Sequence, residues 1–328
     1  MKKLVTILLC GLLILNGLFL FSACGKKTDV TIFSSMEDFR NEKLVEMLKE
    51  EFPDMKIDLT YFPSGDNAAK VEAEGTKIAA DIVLDIDYGY MNKLKANFAD
   101  LTDIIALTEF LDEIIPDDNT YFPVAKQSVG IIVNETALNG KAVPASYDDL
   151  TDPIYKGLIS MPSPKSSGTG YSFVKGMVEL KGEDNAFAFF KEFQKNVKAF
   201  TTSGSGPVNN LAIGEAAIGV GMIFQAVQKI NEGVNLTILD LPGGTPYNQS
   251  GGAIIKGREN KENVKKVAAF ITAVFLRYDN IYFIPESLFK KADKPEIENF
   301  PVVNNMNMNG FSQIKKQHLL ERWANEIA

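Results

Sequence analysis

Short apolar runs alternate with amphipathic stretches along most of the chain. Val30-Thr31-Ile32-Phe33 is a β-rich run, and residues 41–52 place Leu44, Val45, Leu48 and Phe52 on one helical face. Met55, Ile57, Leu59 and Tyr61 alternate with polar residues, the period of a strand. A helix over 68–74 and a third strand, Asp81-Ile82-Val83-Leu84-Asp85, follow. A second series starts at Val129-Gly130-Ile131-Ile132-Val133 and continues with a strand at 158–161, helices at 171–180 and 185–194, and strands at 217–222 and 236–239. A third block pairs a strand at 252–256 with a helix over 262–276, where Val264, Val267, Ala268, Ile271, Val274 and Phe275 face one way. The tail, 312–327, reads as a polar helix carrying Leu319, Leu320 and Trp323. Strands alternating with helices predict mostly parallel α/β sheet with right-handed crossovers. Two α/β lobes fit this pattern better than one sheet of ten or more strands.

The first segment is of another kind. Lys2 and Lys3 precede an apolar run from Leu4 to Phe21, which ends in Ser22-Ala23-Cys24-Gly25. A basic start, an apolar stretch and small residues before a cleavage point are the layout of an export signal. Small residues before a cysteine also resemble the bacterial lipoprotein signal, in which Cys24 would be lipidated and become the mature N-terminus. Phe21 stands where that pattern prefers Leu. The expectation is a signal at 1–23, a lipidated tether at 24–29 and an exported body on the outer face of the cytoplasmic membrane or in the periplasm.

Composition narrows the chemistry. The 328 residues carry a net charge of −8, which argues against a nucleic-acid binder. Cys10 and Cys24 are the two cysteines and His318 the one histidine. Cysteine nucleophiles, Cys/His zinc sites and Ser–His triads therefore have almost no residues to draw on. Removal of 1–23 leaves Cys24 as the one thiol, so no intrachain disulfide is expected. His318 and Trp323, on the tail helix, read as a surface and a packing residue.

In open α/β sheets, ligands bind beyond the carboxyl ends of the strands, where helix N-termini offer free N–H groups. The loops at those places hold Ser34 and Ser35, then Ser64 and Gly65, then Asp85, Asp87 and Tyr88. In the second half they are richer: Ser166-Ser167-Gly168-Thr169-Gly170, and later Ser203-Gly204-Ser205. Small hydroxyl residues and glycines let backbone N–H groups approach an anion. Any one of these serines also reads as a plain helix cap. Asp85 and Asp87 read either as solvated helix-start acids or as acceptors for a hydroxyl or amine at a ligand's other end. Tyr88, Tyr90, Phe224 and Tyr247 are candidate cleft walls.

Met161-Pro162-Ser163-Pro164-Lys165-Ser166-Ser167-Gly168-Thr169-Gly170-Tyr171 resembles the central motif of family 1 extracellular solute-binding proteins of ABC importers. Gly214-Glu215-Ala216-Ala217-Ile218-Gly219, Gly244-Thr245-Pro246-Tyr247, Gly252-Ala253-Ile254-Ile255-Lys256-Gly257 and Ser146-Tyr147-Asp148-Asp149-Leu150 follow the same resemblance, which spans roughly 29–290. The branch in question contains ferric-iron binders and relatives that take up phosphorylated sugars, phosphonates and thiamine compounds. The resemblance implies a two-lobe, periplasmic-binding-protein-like α/β fold of type II with the ligand cleft between the lobes. It implies a small-molecule ligand, an ABC permease with its ATPase as partner, and no cofactor. Iron-binding members carry a tyrosine pair just after the Gly-Glu-Ala-Ala strand, whereas this chain reads Gly221-Met222-Ile223-Phe224-Gln225. In the same relatives, the loop matching Ser166–Gly170 holds an anion.

The expected function is capture of a small anionic organic solute, phosphate- or phosphonate-bearing, with an amine or a polyol at its far end. Ser34, Ser35, Ser64, Gly65, Asp85, Asp87, Tyr88, Ser166 to Gly170, Ser203 to Ser205, Gln225 and Tyr247 are its candidate contacts, and no metal is expected. The lobes are expected at 30–126 with about 247–283, and at 127–246 with about 284–328, in a monomer. Hinges are expected near Ala125–Ser128 and Tyr247–Gly252. Iron transport, ligand sensing for a membrane receptor, and an exported hydrolase using Asp85, Asp87 and Glu215 are the alternatives.

Overall fold

The computed structural model describes residues 28–306 and 316–327. The expected export signal, Cys24 and the first residues of the expected tail helix lie outside the described residues.

The first lobe is built on β1 (Val30–Ser34), β2 (Ile57–Tyr61) and β3 (Ile82–Asp87), with helices α1 (Asp38–Glu51), α2 (Ser64–Glu74) and α3 (Tyr88–Leu94) after successive strands. β1 lies parallel to both β2 and β3. The chain then enters β4 (Phe122–Val133), twelve residues long, and crosses to the second lobe. There follow α4 (Glu135–Leu138), β5 (Ile159–Pro162), α5 (Gly168–Lys181), α6 (Glu183–Phe193), β6 (Val197–Thr201), α7 (Gly206–Ala212), β7 (Ile218–Met222), α8 (Ile223–Asn231) and β8 (Thr237–Leu239). A second crossing strand, β9 (Tyr247–Ile254), returns to the first lobe. It leads to α9 (Glu262–Phe270), a π-helical turn at Ile271–Phe275 and α10 (Leu276–Tyr282). The last helix is α11 (Lys316–Glu326).

The strand order is β2-β1-β3-β9-β4-β7-β5-β6, with β8 paired to β4. Within each lobe the β1–β3 and β5–β7 pairs are parallel, as the alternation of strand and helix predicts. The crossing strands pair antiparallel with each other and with their neighbours, so the sheet is mixed rather than mostly parallel. β4 and β9 are matched from Phe122↔Gly252 to Ser128↔Tyr247, which puts the expected hinge residues side by side.

Burial of apolar side chains builds two main cores. One gathers Ile32, Leu44, Leu48, Leu84, Phe122, Val264, Ile271 and Phe275. The other gathers Val129, Ile159, Met161, Phe173, Phe187, Phe190, Phe193 and Ile218, and α11 joins it through Leu319 and Trp323. Trp323 meets Phe190 edge-on, 5.1 Å between ring centroids. Ile284, Leu288 and Phe289 pack in the first core, so that lobe's packing continues past residue 283.

Candidate functional site

Between the lobes lies a cavity of about 260 Å³. Its second-lobe wall is Ser166, Ser167, Gly168, Thr169, Ser203, Gly204 and Ser205. These residues converge because β5 and β6 are parallel neighbours and both end at the cleft. Ser167 is the N-cap of α5, and Thr169 belongs to that helix's first turn; both are about 5% exposed. A 14-residue helix thus opens its N–H end onto the cavity, where its dipole favours negative charge. Gly170 has a packing reason: a Cβ there would stand 2.3 Å from the Pro162 carbonyl oxygen. The Ser166 hydroxyl donates to the Thr202 carbonyl at 2.8 Å, tying the two loops together. The hydroxyls of Ser203 and Ser205 are 2.8 Å apart, and Tyr61 reaches Ser203 from the first lobe at 2.9 Å.

The first-lobe wall is acidic. Ser35, Glu37, Asp38, Tyr61, Pro63, Ser64 and Asp85 line it, with Gln127 and Asn248 on the crossing strands and Met222 at the end of β7. Asp85 owes its position to a local break in the sheet. The β3–β9 register shifts between Val83 and Ile86, and Asp85 has φ of 60°, a left-handed conformation uncommon outside glycine. Its carboxylate accepts from the Ser250 hydroxyl and, at 3.2 Å, from Nη1 of Arg40. Arg40 is fully buried behind the wall. It holds Asp279 by two bonds of 2.9 and 2.6 Å and donates to Glu37 at 3.1 Å. Burial, helped by the neighbouring Asp85 charge, pushes the Glu37 carboxyl up to about 7 against the pull of Arg40. The cavity is therefore polar at both ends, with carboxylates at one and a helix N-terminus with small hydroxyls at the other.

Comparison with known proteins decides the family. A profile described as bacterial extracellular solute-binding protein matches residues 54–274. The chain belongs to that family. This solute-binding protein is 32% identical over 265 residues to an uncharacterised protein of Haemophilus influenzae, covering 77% of this chain and 75% of the other. Among solved structures it resembles the periplasmic binding protein P5PA, with a TM-score of 0.81, 21% identity, and 92% and 100% of the two chains covered. It also resembles AfuA of Actinobacillus pleuropneumoniae, solved with fructose-6-phosphate bound, with a TM-score of 0.79, 23% identity, and 92% and 99% covered. The fold is that of the type II periplasmic binding proteins, two lobes with a cleft between them. No helix among the described residues is long and apolar enough to cross a membrane.

In this solute-binding protein, Ser35, Ser64, Asp85, Ser166, Ser167, Gly168, Thr169, Ser203, Gly204 and Ser205 come together around the cavity. Other sequence candidates are placed elsewhere. Ser34 is fully buried and its Oγ accepts from the Met36 amide. Asp87 caps α3 through the Gly89 amide and pairs with Lys316. Tyr88 packs edge-on against Tyr121 and donates to the Ile114 carbonyl at 2.7 Å. Gln225 donates to the Ser205 carbonyl and Asn209 at 3.3 Å, bracing the serine loop. Tyr247 lies under the Lys126 ammonium, 4.8 Å from the ring centroid. Gly65 and Gly170 serve packing. Glu37, Asp38, Tyr61, Gln127, Met222 and Asn248 were not among the sequence candidates; Glu37 and Asp38 follow the two serines after a single residue, Met36, and that proximity was their available signal.

Proposed function

We propose that this solute-binding protein captures a small anionic organic solute, bearing a phosphate or phosphonate, and delivers it to an ABC permease. One observation carries the reading: the N-terminus of α5 with Ser166, Ser167 and Thr169 opens onto the interlobe cavity opposite the Ser203–Ser205 loop. Backbone N–H groups and small hydroxyls there match the oxygens of a phosphoryl group. The fructose-6-phosphate held by the AfuA structure is a phosphate ester, a ligand of the proposed class. The remote end of the solute would meet Glu37, Asp38, Asp85, Gln127 and Asn248, which suits hydroxyl or amine donors.

Binding would work by closure. Contacts from both lobes stabilise the closed arrangement, and only a difference in affinity between open and closed states shifts the balance. The Ala125–Ser128 and Tyr247–Gly252 segments, paired in the crossing strands, would bend. Residues 30–126 and 247–289 would move as one lobe, and 127–246 with 316–327 as the other. Lipidation of Cys24 would tether the body at the envelope beside the permease, with the protein acting as a monomer.

Thermal shift of the soluble body, residues 25–328, against phosphate esters, phosphonates, thiamine compounds, polyamines and Fe³⁺ tests the reading. A phosphoryl compound at 100 times its Kd should add about 2.7 kcal/mol of stability. Stabilisation by Fe³⁺ or polyamines and by no phosphoryl compound would overturn it.

A further inference from the structure

Charge is distributed unevenly around the cavity. Glu37, Asp38 and Asp85 line it, and among the described lining residues there is no Lys, Arg or His. The nearest guanidinium, Arg40, has no exposed surface. It already serves Asp279 twice, Glu37 once and Asp85 once. Three carboxylates share that one guanidinium, and Asp38 stands beside them without a bond to it. Glu37 and Asp38 sit at the N-terminal end of α1, whose dipole is worth about half a charge. That leaves the wall negative. A phosphoryl group would add between one and two further negative charges.

We propose that the end of the solute remote from its phosphoryl group carries a protonated amine, seated among Glu37, Asp38 and Asp85, so that the protein selects a zwitterion. This inference rests on the anion reading given above. A neutral polyol phosphate would bring its charge into a cavity whose charged lining side chains are all acidic and would offset none of it. An ammonium supplies the missing positive charge and up to three donors, to carboxylates that have few protein donors left. Glu37 shows the deficit: its Oε2 meets Arg40, yet burial beside Asp85 raises its proton affinity against that guanidinium's pull. A separate observation also points to a ligand here. Gln127, 3% exposed on the crossing strand, lines the cavity, and its Nε2 has no hydrogen-bond partner among the described residues. An oxygen on the carbon frame between amine and phosphoryl group would suit that donor.

Calorimetry with matched pairs tests the inference on the intact soluble body: phosphoethanolamine against 2-hydroxyethyl phosphate, 2-aminoethylphosphonate against 2-hydroxyethylphosphonate, and glucosamine-6-phosphate against glucose-6-phosphate. The amine member of at least one pair should bind ten-fold or more tightly than its hydroxyl partner. Glu37→Gln and Asp38→Asn should each narrow that ratio; Asp38 is exposed on the first turn of its helix, so the second variant keeps the fold. Equal or tighter binding of the hydroxyl members would overturn the zwitterion and leave the anion reading standing. Ethanolamine binding as tightly as phosphoethanolamine would overturn the anion reading itself, and the zwitterion with it.

Discussion

The amide of Gly65 donates to the carbonyl of Ser166 at 2.9 Å, joining the first turn of α2 to the loop that precedes α5. The two residues belong to different lobes. A Cβ at position 65 would stand 2.7 Å from the Lys165 carbonyl oxygen and 2.9 Å from Cα of Ser166. Both obstacles are backbone, so relief requires the lobes to part. Gly65→Ala should therefore weaken binding of a phosphoryl solute by about ten-fold or more, since affinity scales with the fraction of closed protein. Calorimetry reads the loss, and small-angle scattering of the solute-saturated variant should report a wider molecule than the parent. Parent-like affinity would show that closure does not bring these two residues together.

Contacts to the solute and scaffolding beneath them should separate by mutation. Ser167→Ala and Thr169→Ala remove hydroxyls at the open end of α5 and should each cost about 1–3 kcal/mol of binding. Gly170→Ala, one residue further, places a methyl group against the Pro162 backbone and should lower the melting temperature instead. Unchanged affinity in both hydroxyl variants would move the anion away from this loop.

Lys316 forms a second link between lobes. From α11, packed on the second core, its ammonium pairs with Asp87 and lies 3.7 Å from the Tyr90 ring centroid and 4.1 Å from that of Tyr171. Lys316→Met keeps the apolar stem but leaves Asp87, 5% exposed, without that cation. Loss of one partner of a buried pair costs about 3 kcal/mol or more. Adding Asp87→Asn should restore part of the stability. A chemical-denaturation cycle over the two single variants and the double reads the coupling, and strict additivity would contradict a shared ion pair.

Stability should also report on Glu286. Its Oε1 accepts from the Ser128 amide at 3.0 Å on the crossing strand, while Oε2 has no partner among the described residues. Burial pushes this carboxyl up to about 7, against the pull of Ser128 and Lys126. A folded-state pKa above the unfolded value means that the folded chain holds a proton the unfolded chain has lost. This contribution is complete below about pH 4.5 and disappears as pH rises through about 7. Glu37 works in the same direction when no cation is bound. Glu286→Gln should therefore flatten part of the decline between pH 5 and 8 and gain on the parent by up to about 3 kcal/mol at pH 8. Urea midpoints across that range, parent against variant, isolate the group. A difference that does not vary with pH would contradict the assignment.

The parts of this architecture that were legible in the sequence are those whose burial is one-sided and local. β1, β3 and β7 announce themselves as apolar runs, and the serine-bearing turns after β1, β2, β5 and β6 mark the cleft by position alone. The crossing strands were only half visible. Lys126, Gln127 and Ser128 in β4, and Asn248, Gln249 and Ser250 in β9, are polar because they bridge two lobes beside a cavity, which breaks strand periodicity. β6 is intermediate to exposed throughout, and Val197, Ala199 and Phe200 are too few and too unevenly spaced to mark it as a strand. The acidic wall was hidden for a different reason. Arg40 reads as one polar residue of an amphipathic helix, and its bidentate partner Asp279 lies 239 positions away, so the ion cluster exists only once the chain is folded. Asp87 illustrates the opposite case: a strand-end acid with the right address is engaged by Lys316 of the last helix, which periodicity cannot pair with it.

Native mass spectrometry of the soluble body, purified without unfolding, tests the central claim most directly. The account predicts a complex with one small molecule that, released by denaturation, gives a phosphorus resonance of a phosphate ester or phosphonate. A stoichiometric complex with ferric iron, or with a molecule lacking phosphorus and negative charge, would contradict it.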